Sequence, residues 1–508
     1  GRFLGGSDLF LGLVQRIACI GDLLQEIGGL GGCGDAVDEM ARERSTESEP
    51  TLFGRNRASR RGSVEQGEPG VSDLISALAA IVGDANVRTA ADAGDDYSHD
   101  EALNAPWVEP DAVVFPASTA EVAQILTHAN EHRIPVTARG AGTGLSGACI
   151  PRQGGIVVSF DRMNQVLEID RDNHAAVVQP GVTLDQLDAL LAPLDLVYPV
   201  FPGEYSASLG GNVNTNAGGM RAVKYGVTRH HVLGIEAVLP TGEVIRSGGK
   251  IVKVSTGYDL TQLVIGSEGT LGLVTEATLK LHPRLPHAAT ILAPFSTLEG
   301  VTTAVPRIID SGIGPQILEY IDLMTMAAMT ASGELDLGVP QDVKDTALAY
   351  LVVVLENAHE DRLDADIEQL GTFLGDLGAM DVYVLPSGAG AQLIAAREKA
   401  FWLAKASGAN DVVDVVVPRA TIPEFMERVS KLGADTGSWI AGCGHAGDGN
   451  VHLAVFQADP DKRHEVMIGL YRAGMDLGGA ISGEHGLGTE KRGYFLELED
   501  PAKIDLMR

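Results

Sequence analysis

The stretch Arg139-Gly-Ala-Gly-Thr-Gly-Leu-Ser-Gly147 constrains the fold of this chain more than any other. Gly142 to Gly147 satisfies the spacing GxGxxG, the phosphate-binding turn of a Rossmann fold. That turn works only when a helix starts directly after it, because the helix N-terminus faces the pyrophosphate. Here Ala148-Cys-Ile-Pro151-Arg-Gln-Gly-Gly leads into another strand, so the context refuses a Rossmann site. The glycines can still let consecutive backbone N–H groups converge on an anion. Two further runs, SLGGNVNTNAGG (Ser208–Gly219) and GSEGTLG (Gly266–Gly272), fall in the same region and favour phosphate binding over a flexible surface loop.

Around these runs the pattern is α+β. VSDLISALAAIVGD, from Val71, is an amphipathic helix, and Ser118-Thr-Ala-Glu121 is a capping box opening a second helix to about Arg133. The strand Ile134–Arg139 follows, then strands around Ile156–Phe160, Val166–Ile169 and Ala175–Gln179, and a helix opened by Thr183. Val232–Leu239 and Glu243–Arg246 form a hairpin turned by Pro240-Thr-Gly242, a last strand ends at Leu281, and His282-Pro283 marks a boundary. From Ala288 to about Leu385 a strand, helix, strand rhythm recurs: Thr290–Ala293, Thr297–Ser311 and Gln316–Tyr320, then Ala349–Glu356, Asp361–Leu377 and Asp381–Leu385. Two such units make a ferredoxin-like sheet with helices on one face.

Near the end of the chain, GHAGDGNVH (Gly444–His452) and SGEHG (Ser482–Gly486) place three histidines and a glutamate among glycines. Ser438–Cys443 and Val451–Phe456 read as strands, and Gly447-Asp-Gly-Asn450 as the turn between them. A hairpin there would bring His445 and His452 opposite each other. Imidazoles so placed can bind a divalent metal, and Glu484 could complete a two-His, one-carboxylate set with positions open for substrate. His485 would sit beside the metal, free to move a proton. The bland alternative is a turn-rich hairpin whose histidines only hydrogen-bond. Cys443 reads as a small core residue. A metal-only hydrolase built on His445, His452 and Glu484 would leave the glycine runs unused, and no GxSxG supports serine hydrolysis.

Composition narrows the partners. A chain of 508 residues suggests two or three domains. Its 38 Lys and Arg against 68 Asp and Glu give a formal charge of -30, which disfavours nucleic acid, so an anionic substrate needs a local basic pocket. Cys19, Cys33, Cys149 and Cys443 show no CxxC spacing, which suits a reducing cytoplasm and argues against an iron–sulfur cluster carried by this chain alone. The most apolar early segment, Leu9–Leu30, is broken by Arg16, Asp22 and Glu26. The expectation is a cytoplasmic protein whose membrane contact, if any, is peripheral at the inner membrane face. Residues 1–70 begin without Met and end in GRNRASRRGSVEQGEPG, the mark of a disordered extension or an over-called start.

In order and spacing, PVTARGAGTGLSGACIP, ASLGGNVNTNAGGMRAVKYGVTR, GYDLTQLVIGSEGTLGLVTEATLKLHP, GHAGDGNVH and SGEHG resemble the FAD-linked D-2-hydroxyacid dehydrogenases. These belong to the vanillyl-alcohol oxidase / p-cresol methylhydroxylase flavoprotein superfamily; the glycolate oxidase catalytic subunit and cytochrome-type D-lactate dehydrogenases are most similar. The resemblance runs from about Val71 to the C-terminus. It implies a two-subdomain FAD-binding domain of the p-cresol methylhydroxylase type over residues 71–285, with its core at about 106–285. A ferredoxin-like cap over 286–437 follows, then a segment, 438–508, that returns to the flavin. Relatives run on past this chain's end to an Asn-Pro-Gly segment, so the resemblance implies truncation.

Site roles follow from the same resemblance. Arg139, Gly140, Ala141, Gly142, Thr143 and Gly144, with Ser146 and Gly147, would cradle the FAD pyrophosphate. Ser208, Gly210, Gly211, Asn212, Asn216 and Gly218 would line the flavin and its phosphates, Glu268, Gly269, Gly272 and Val274 the adenosine side, and Asn450 the flavin ring. Covalent relatives carry a His in the first loop; Thr143 stands there, implying non-covalent FAD. A Zn, Mn or Fe ion is implied on His445, His452 and Glu484, with His485 as proton acceptor. Arg397 would clamp the substrate carboxylate, its other reading being a solvent-facing helical arginine; Lys491 is a weaker candidate. Val412 stands where the D-2-hydroxyglutarate branch has a lysine for a second carboxylate, which favours a small monocarboxylate, D-lactate or glycolate. Val200-Phe201-Pro202 replaces the relatives' Pro-Asp-Pro near the flavin. The implied reaction yields the 2-oxo acid by hydride transfer to flavin N5. Electrons would pass on to a quinone, a cytochrome, an electron-transfer flavoprotein or an iron–sulfur subunit. The alternatives are a D-2-hydroxyglutarate-type dehydrogenase and the metal-only hydrolase; a non-catalytic flavin-binding subunit would lack His445 and His452.

Overall fold

A computed structural model describes residues 71–508 apart from 153, 332 and 334; the expected extension over 1–70 lies outside the described residues. Helix α1 (Val71–Val82) buries Leu74, Leu78 and Val82, the stripe that a 3.6-residue period predicts. It packs beside α2 (Thr119–His132) on a sheet of β1 (Val87–Arg88), β2 (Ala112–Val114), β3 (Val136–Arg139) and β4 (Ile156–Ser159), in the order β1-β2-β4-β3. Ser118 caps α2 by accepting the Glu121 N–H, and the Glu121 carboxylate takes the N–H of Ala117. Strands β2, β4 and β3 run parallel, and β4 is buried along its whole length, as a parallel strand covered on both faces should be.

The chain then builds an antiparallel sheet. It consists of β5 (Val166–Asp170), β6 (Ala175–Val178) and, after the short β7 (Leu196–Val197), β8 (Val232–Val238), β9 (Val244–Gly248) and β10 (Leu273–Lys280), in the order β5-β6-β10-β8-β9. Within it the SLGG run becomes α3 (Leu209–Thr215). Strand β11 (His282–Pro283) pairs with β7 and closes the domain.

The cap opens with β12 (His287–Phe295), α4 (Leu298–Asp310) and β13 (Ile317–Asp322), passes through α5 (Leu323–Thr330), and repeats the unit as β14 (Ala349–Asn357), α6 (Glu360–Asp376) and β15 (Tyr383–Leu385). Its strands run antiparallel in the order β15-β12-β14-β13, the expected ferredoxin-like arrangement. Two features differ from expectation. After α7 (Ser387–Glu398) and α8 (Ala400–Ala406), strand β16 (Asp411–Val416) and, beyond α9 (Ile422–Thr436), the hairpin β17 (Trp439–His445) and β18 (Asn450–Phe456) extend the same sheet to β15-β12-β14-β13-β17-β18-β16. A division between 437 and 438 therefore cuts one sheet, and Val451, Leu453 and Val455 share a core with Leu470 and Tyr471 of α10 (Pro460–Asp476) and with α4 and α6. Helices also cover both faces of the sheet: Leu351, Val353 and Leu355 of β14 pack toward α4 and α6, whereas Tyr350 and Val352 pack toward Met326 of α5 and Leu393 of α7.

Candidate active site

Side chains alternate along a strand, so every second residue shares a face. On β18, Val451, Leu453 and Val455 enter the core, leaving His452, Ala454 and Phe456 for the other face. On β16, Val413 and Val415 enter the core, leaving Val412 and Asp414. The same alternation gives that face Glu319 of β13 and His445 of β17. Because β13, β17, β18 and β16 are consecutive neighbours, Glu319, His445, His452 and Asp414 form a row across four strands. The hairpin does not set the two histidines opposite each other as expected: Cys443 pairs with His452, and His445 with Asn450. Their rings meet on the diagonal, edge to face, with centroids 4.8 Å apart.

The SGEHG segment crosses this row, bridged to β16 at Ser482. Glu484 Oε1 lies 3.1 Å from His445 Nε2 and 3.3 Å from His452 Nε2. One ligand atom from each of His445, His452 and Glu484 falls within 4.8 Å of the others. Two imidazoles and a carboxylate so gathered fit a Zn, Mn or Fe ion. His485 stacks on His452 at 5.1 Å, and its Nδ1 lies 4.0 Å from Asp414 Oδ2.

Two supports escape a reading of motifs. Asp414 Oδ2 accepts the N–H groups of Gly483 (3.1 Å), Glu484 (3.1 Å) and His485 (2.8 Å) and the Ser482 hydroxyl (2.7 Å), and Oδ1 accepts the Asn450 amide (2.8 Å). One carboxylate thus fixes the segment that carries Glu484 and His485. Burial works against its ionisation, yet the cationic groups around it, Lys491 among them, outweigh burial and hold Asp414 below the usual carboxylate range. Glu319, fully buried, places Oε1 2.6 Å from His445 Nδ1 and Oε2 2.8 Å from Arg397 Nη2. A carboxylate held on one ring nitrogen orients the other, here Nε2 toward Glu484. The available signal was a carboxylate inside an apolar strand, QILEYID and DVVDVVV, which a folded chain must pair. The strand itself does not name the partner.

The electrostatics separate the histidines. Burial disfavours charge on His445, but Glu319 and Glu484 outweigh it and raise His445 well above the ordinary value. Two carboxylates that favour a proton there equally favour a cation. Glu484 resists burial through His445 and His452 and is held well below its usual range. Burial pushes His485 down to about 4, leaving a neutral imidazole able to accept a proton. Arg397 is buried rather than solvent-facing, and its Nε and Nη2 have no aligned hydrogen-bond acceptor among the described residues, despite the close Glu319 carboxylate. Lys491 is buried with Nζ 3.7 Å from Asp414 Oδ2. A cavity of about 320 Å³ opens over the row, bounded by His445, His452, Glu484, His485 and Arg397 and, from the FAD-binding side, by Leu145, Gly219 and Met220.

The glycine runs meet as a cradle. A Cβ on Gly140 would overlap Ser208 Oγ, and one on Gly142, at φ +78°, would overlap the Arg139 guanidinium. Ser208 caps α3 by accepting the Gly211 N–H (3.3 Å) and also takes that of Ala141 (3.3 Å), stapling the first two runs together. Beside them Asn212 is buried with Nδ2 lacking a partner among the described residues. Bare backbone and an orphaned amide donor fit a phosphate-bearing cofactor.

Several other residues expected at the flavin also make contacts within the chain. Arg139 Nη1 donates to His99 O (2.6 Å), Asn216 Oδ1 accepts the Arg229 N–H (3.0 Å), and Asn450 donates to Asp414. Val274 is core, paired with Ala237. Ser146 donates to His485 O (2.5 Å), and the Glu268 carboxylate accepts the N–H groups of Leu487 (2.6 Å) and Gly488 (2.9 Å). Ser146 and Glu268 therefore tie the SGEHG segment to the FAD-binding side, and a Cβ on Gly218 would lie 2.5 Å from Glu484 Oε2.

A glycine cradle faces, across one cavity, a sheet that carries a row of imidazoles and carboxylates, an arrangement suited to a phosphate-bearing cofactor beside a polar site. Two family profiles match, "FAD binding domain" over residues 110–248 and "FAD linked oxidases, C-terminal domain" over 284–508. An uncharacterized FAD-linked oxidoreductase of Mycobacterium tuberculosis is 57% identical over 438 residues, 86% of this chain and 95% of its own. A D-lactate dehydrogenase of Anaerostipes hadrus is 37% identical over 432 residues, 81% of this chain and 89% of its own. Among solved structures, p-cresol methylhydroxylase with substrate bound shares the fold at TM-score 0.73 and 18% identity, covering 87% of this chain and 94% of that one. The chain belongs to the FAD-linked D-2-hydroxyacid dehydrogenase family. No helix among the described residues is long and apolar enough to cross a membrane.

Proposed function

We propose that this protein oxidises a D-2-hydroxy monocarboxylate, of which D-lactate and glycolate are the simplest, to the 2-oxo acid. Its electrons would pass to an acceptor other than a pyridine nucleotide: a quinone, a cytochrome, an electron-transfer flavoprotein or an iron–sulfur subunit. The observation that carries this reading is one cavity lined by a buried guanidinium with unaligned N–H groups, an imidazole whose Nδ1 has no hydrogen-bond partner among the described residues, and a two-His, one-carboxylate set, closed against the FAD-binding side. Arg397 would pair with the substrate carboxylate. The oxidation takes the hydroxyl proton and the C2 hydride and leaves a carbonyl; His485, kept neutral by burial, would accept the proton. Bound FAD, held without a covalent link, would supply the hydride acceptor at N5, and a Zn, Mn or Fe ion on His445, His452 and Glu484 would supply Lewis acidity toward the hydroxyl or carboxylate. Glu319 would keep His445 facing that position, and Asp414 would keep Glu484 and His485 on it. Apart from imidazoles, Arg397 is the one cationic side chain on the cavity wall among the described residues, so a second substrate carboxylate would go unpaired. Anaerobic addition of D-lactate or glycolate to the FAD-loaded protein should bleach its flavin absorbance. A colourless protein that cannot take up FAD would refute the reading.

A further inference from the structure

The cavity continues well beyond the groups that the reaction needs. Along β18 the open face reads His452, Ala454, Phe456, and along β17 it reads Cys443, Ala441, Trp439. Chemistry stands at one end, small residues in the middle and aromatic rings at the far end. Val412, Ala454 and Ala441 are register partners across three strands and leave a shallow floor. Trp439 and Phe456 stand at the far end with ring centroids 4.6 Å apart, Trp439 reaching solvent. Opposite the floor, Met324 and Ala328 of α5 and Phe401 and Ala404 of α8 form an apolar roof. Four residues of strand separate His452 from Phe456, roughly 13 Å at the usual rise.

We infer that this arm is a binding subsite for the side chain of the substrate, and that the preferred substrate is a D-2-hydroxy acid with an extended apolar tail. The inference rests on the hydroxy-acid reading above and adds the tail. Arg397 is the one lysine or arginine on the cavity wall among the described residues, so a second carboxylate would find no partner there, whereas nothing in that limits the length of an uncharged chain.

The test is a chain-length series on the FAD-loaded protein: D-lactate, then the D-2-hydroxy acids of four, six and eight carbons, with D-2-hydroxyglutarate alongside. Each buried methylene should raise kcat/KM by about fourfold, so the six-carbon acid should exceed D-lactate by about sixtyfold. Ala454→Phe fills the floor and should cut the long-to-short ratio by tenfold or more; Ala328→Phe does the same from the helical roof if the strand variant fails to fold. Thermal stabilisation by the corresponding 2-oxo acids should follow the same order without turnover. Activity on D-lactate that stays flat or falls with chain length, or a preference for D-2-hydroxyglutarate, overturns the tail subsite and leaves flavin-linked hydroxy-acid oxidation standing. Flavin that no 2-hydroxy acid of any length reduces overturns both.

Discussion

Around Gly140 and Gly142 the protein offers a ligand its backbone; across Glu319, His445, His452 and Asp414 it offers side chains. In the first region the fit is steric, because a single Cβ would overlap Ser208 or Arg139. In the second, room exists but charge is finely shared, each imidazole lying near a carboxylate and each carboxylate near a cation or a backbone donor. A backbone cradle should therefore fail when an atom is added, and a side-chain row should fail when a charge is removed. The two meet where Ser146 and Glu268 hold the SGEHG segment.

Substitutions can break that contrast or sharpen it. His485→Gln removes the proton acceptor and should lower kcat by roughly 10²–10⁴-fold at unchanged FAD content; loss of flavin from this variant would mean that the side-chain half also retains the cofactor. Asp414→Asn keeps the shape but loses the charge that gathers three N–H groups and a hydroxyl. It should cost about 3 kcal/mol in denaturant unfolding and lower metal content, and wild-type stability would show that the segment is held by other contacts. Gly140→Ala should weaken FAD binding by about tenfold in a flavin titration while metal content stays normal. Asn216→Ala should cost roughly 1–2 kcal/mol of stability, with FAD affinity unchanged, because its side chain serves the Arg229 N–H and its φ of +52° at the end of α3 favours Asn over Ala.

The sequence announces these two regions unequally. Glycine spacing and context were enough to reject a Rossmann turn, and the turn between two short strands was enough to bring His445 near His452. Register was not readable, since nothing in the hairpin says that Cys443 rather than His445 stands opposite His452. Glu319 and Asp414 lie on strands that flank the hairpin in space but are distant in the chain, so their roles depend on a strand order that local pattern cannot supply. The division near residue 437 failed for the same reason, because the hairpin reads as self-contained until its neighbours are known. Arg139, Ser146, Asn216 and Glu268 were recognisable as polar groups in cofactor-type motifs, yet a hydroxyl, amide or carboxylate can serve a ligand or its own chain equally well. In the fold all four also bond within the chain.

The most direct measurement is flavin reduction under anaerobic mixing with a D-2-hydroxy acid, made on FAD-loaded, metal-assayed protein before and after chelation. Bleaching before chelation, and a protein that stays yellow but no longer bleaches after it, is the expected result. Bleaching at an undiminished rate in metal-free protein, or none in the metal-loaded form, would contradict a metal-assisted row that acts on substrate beside the flavin.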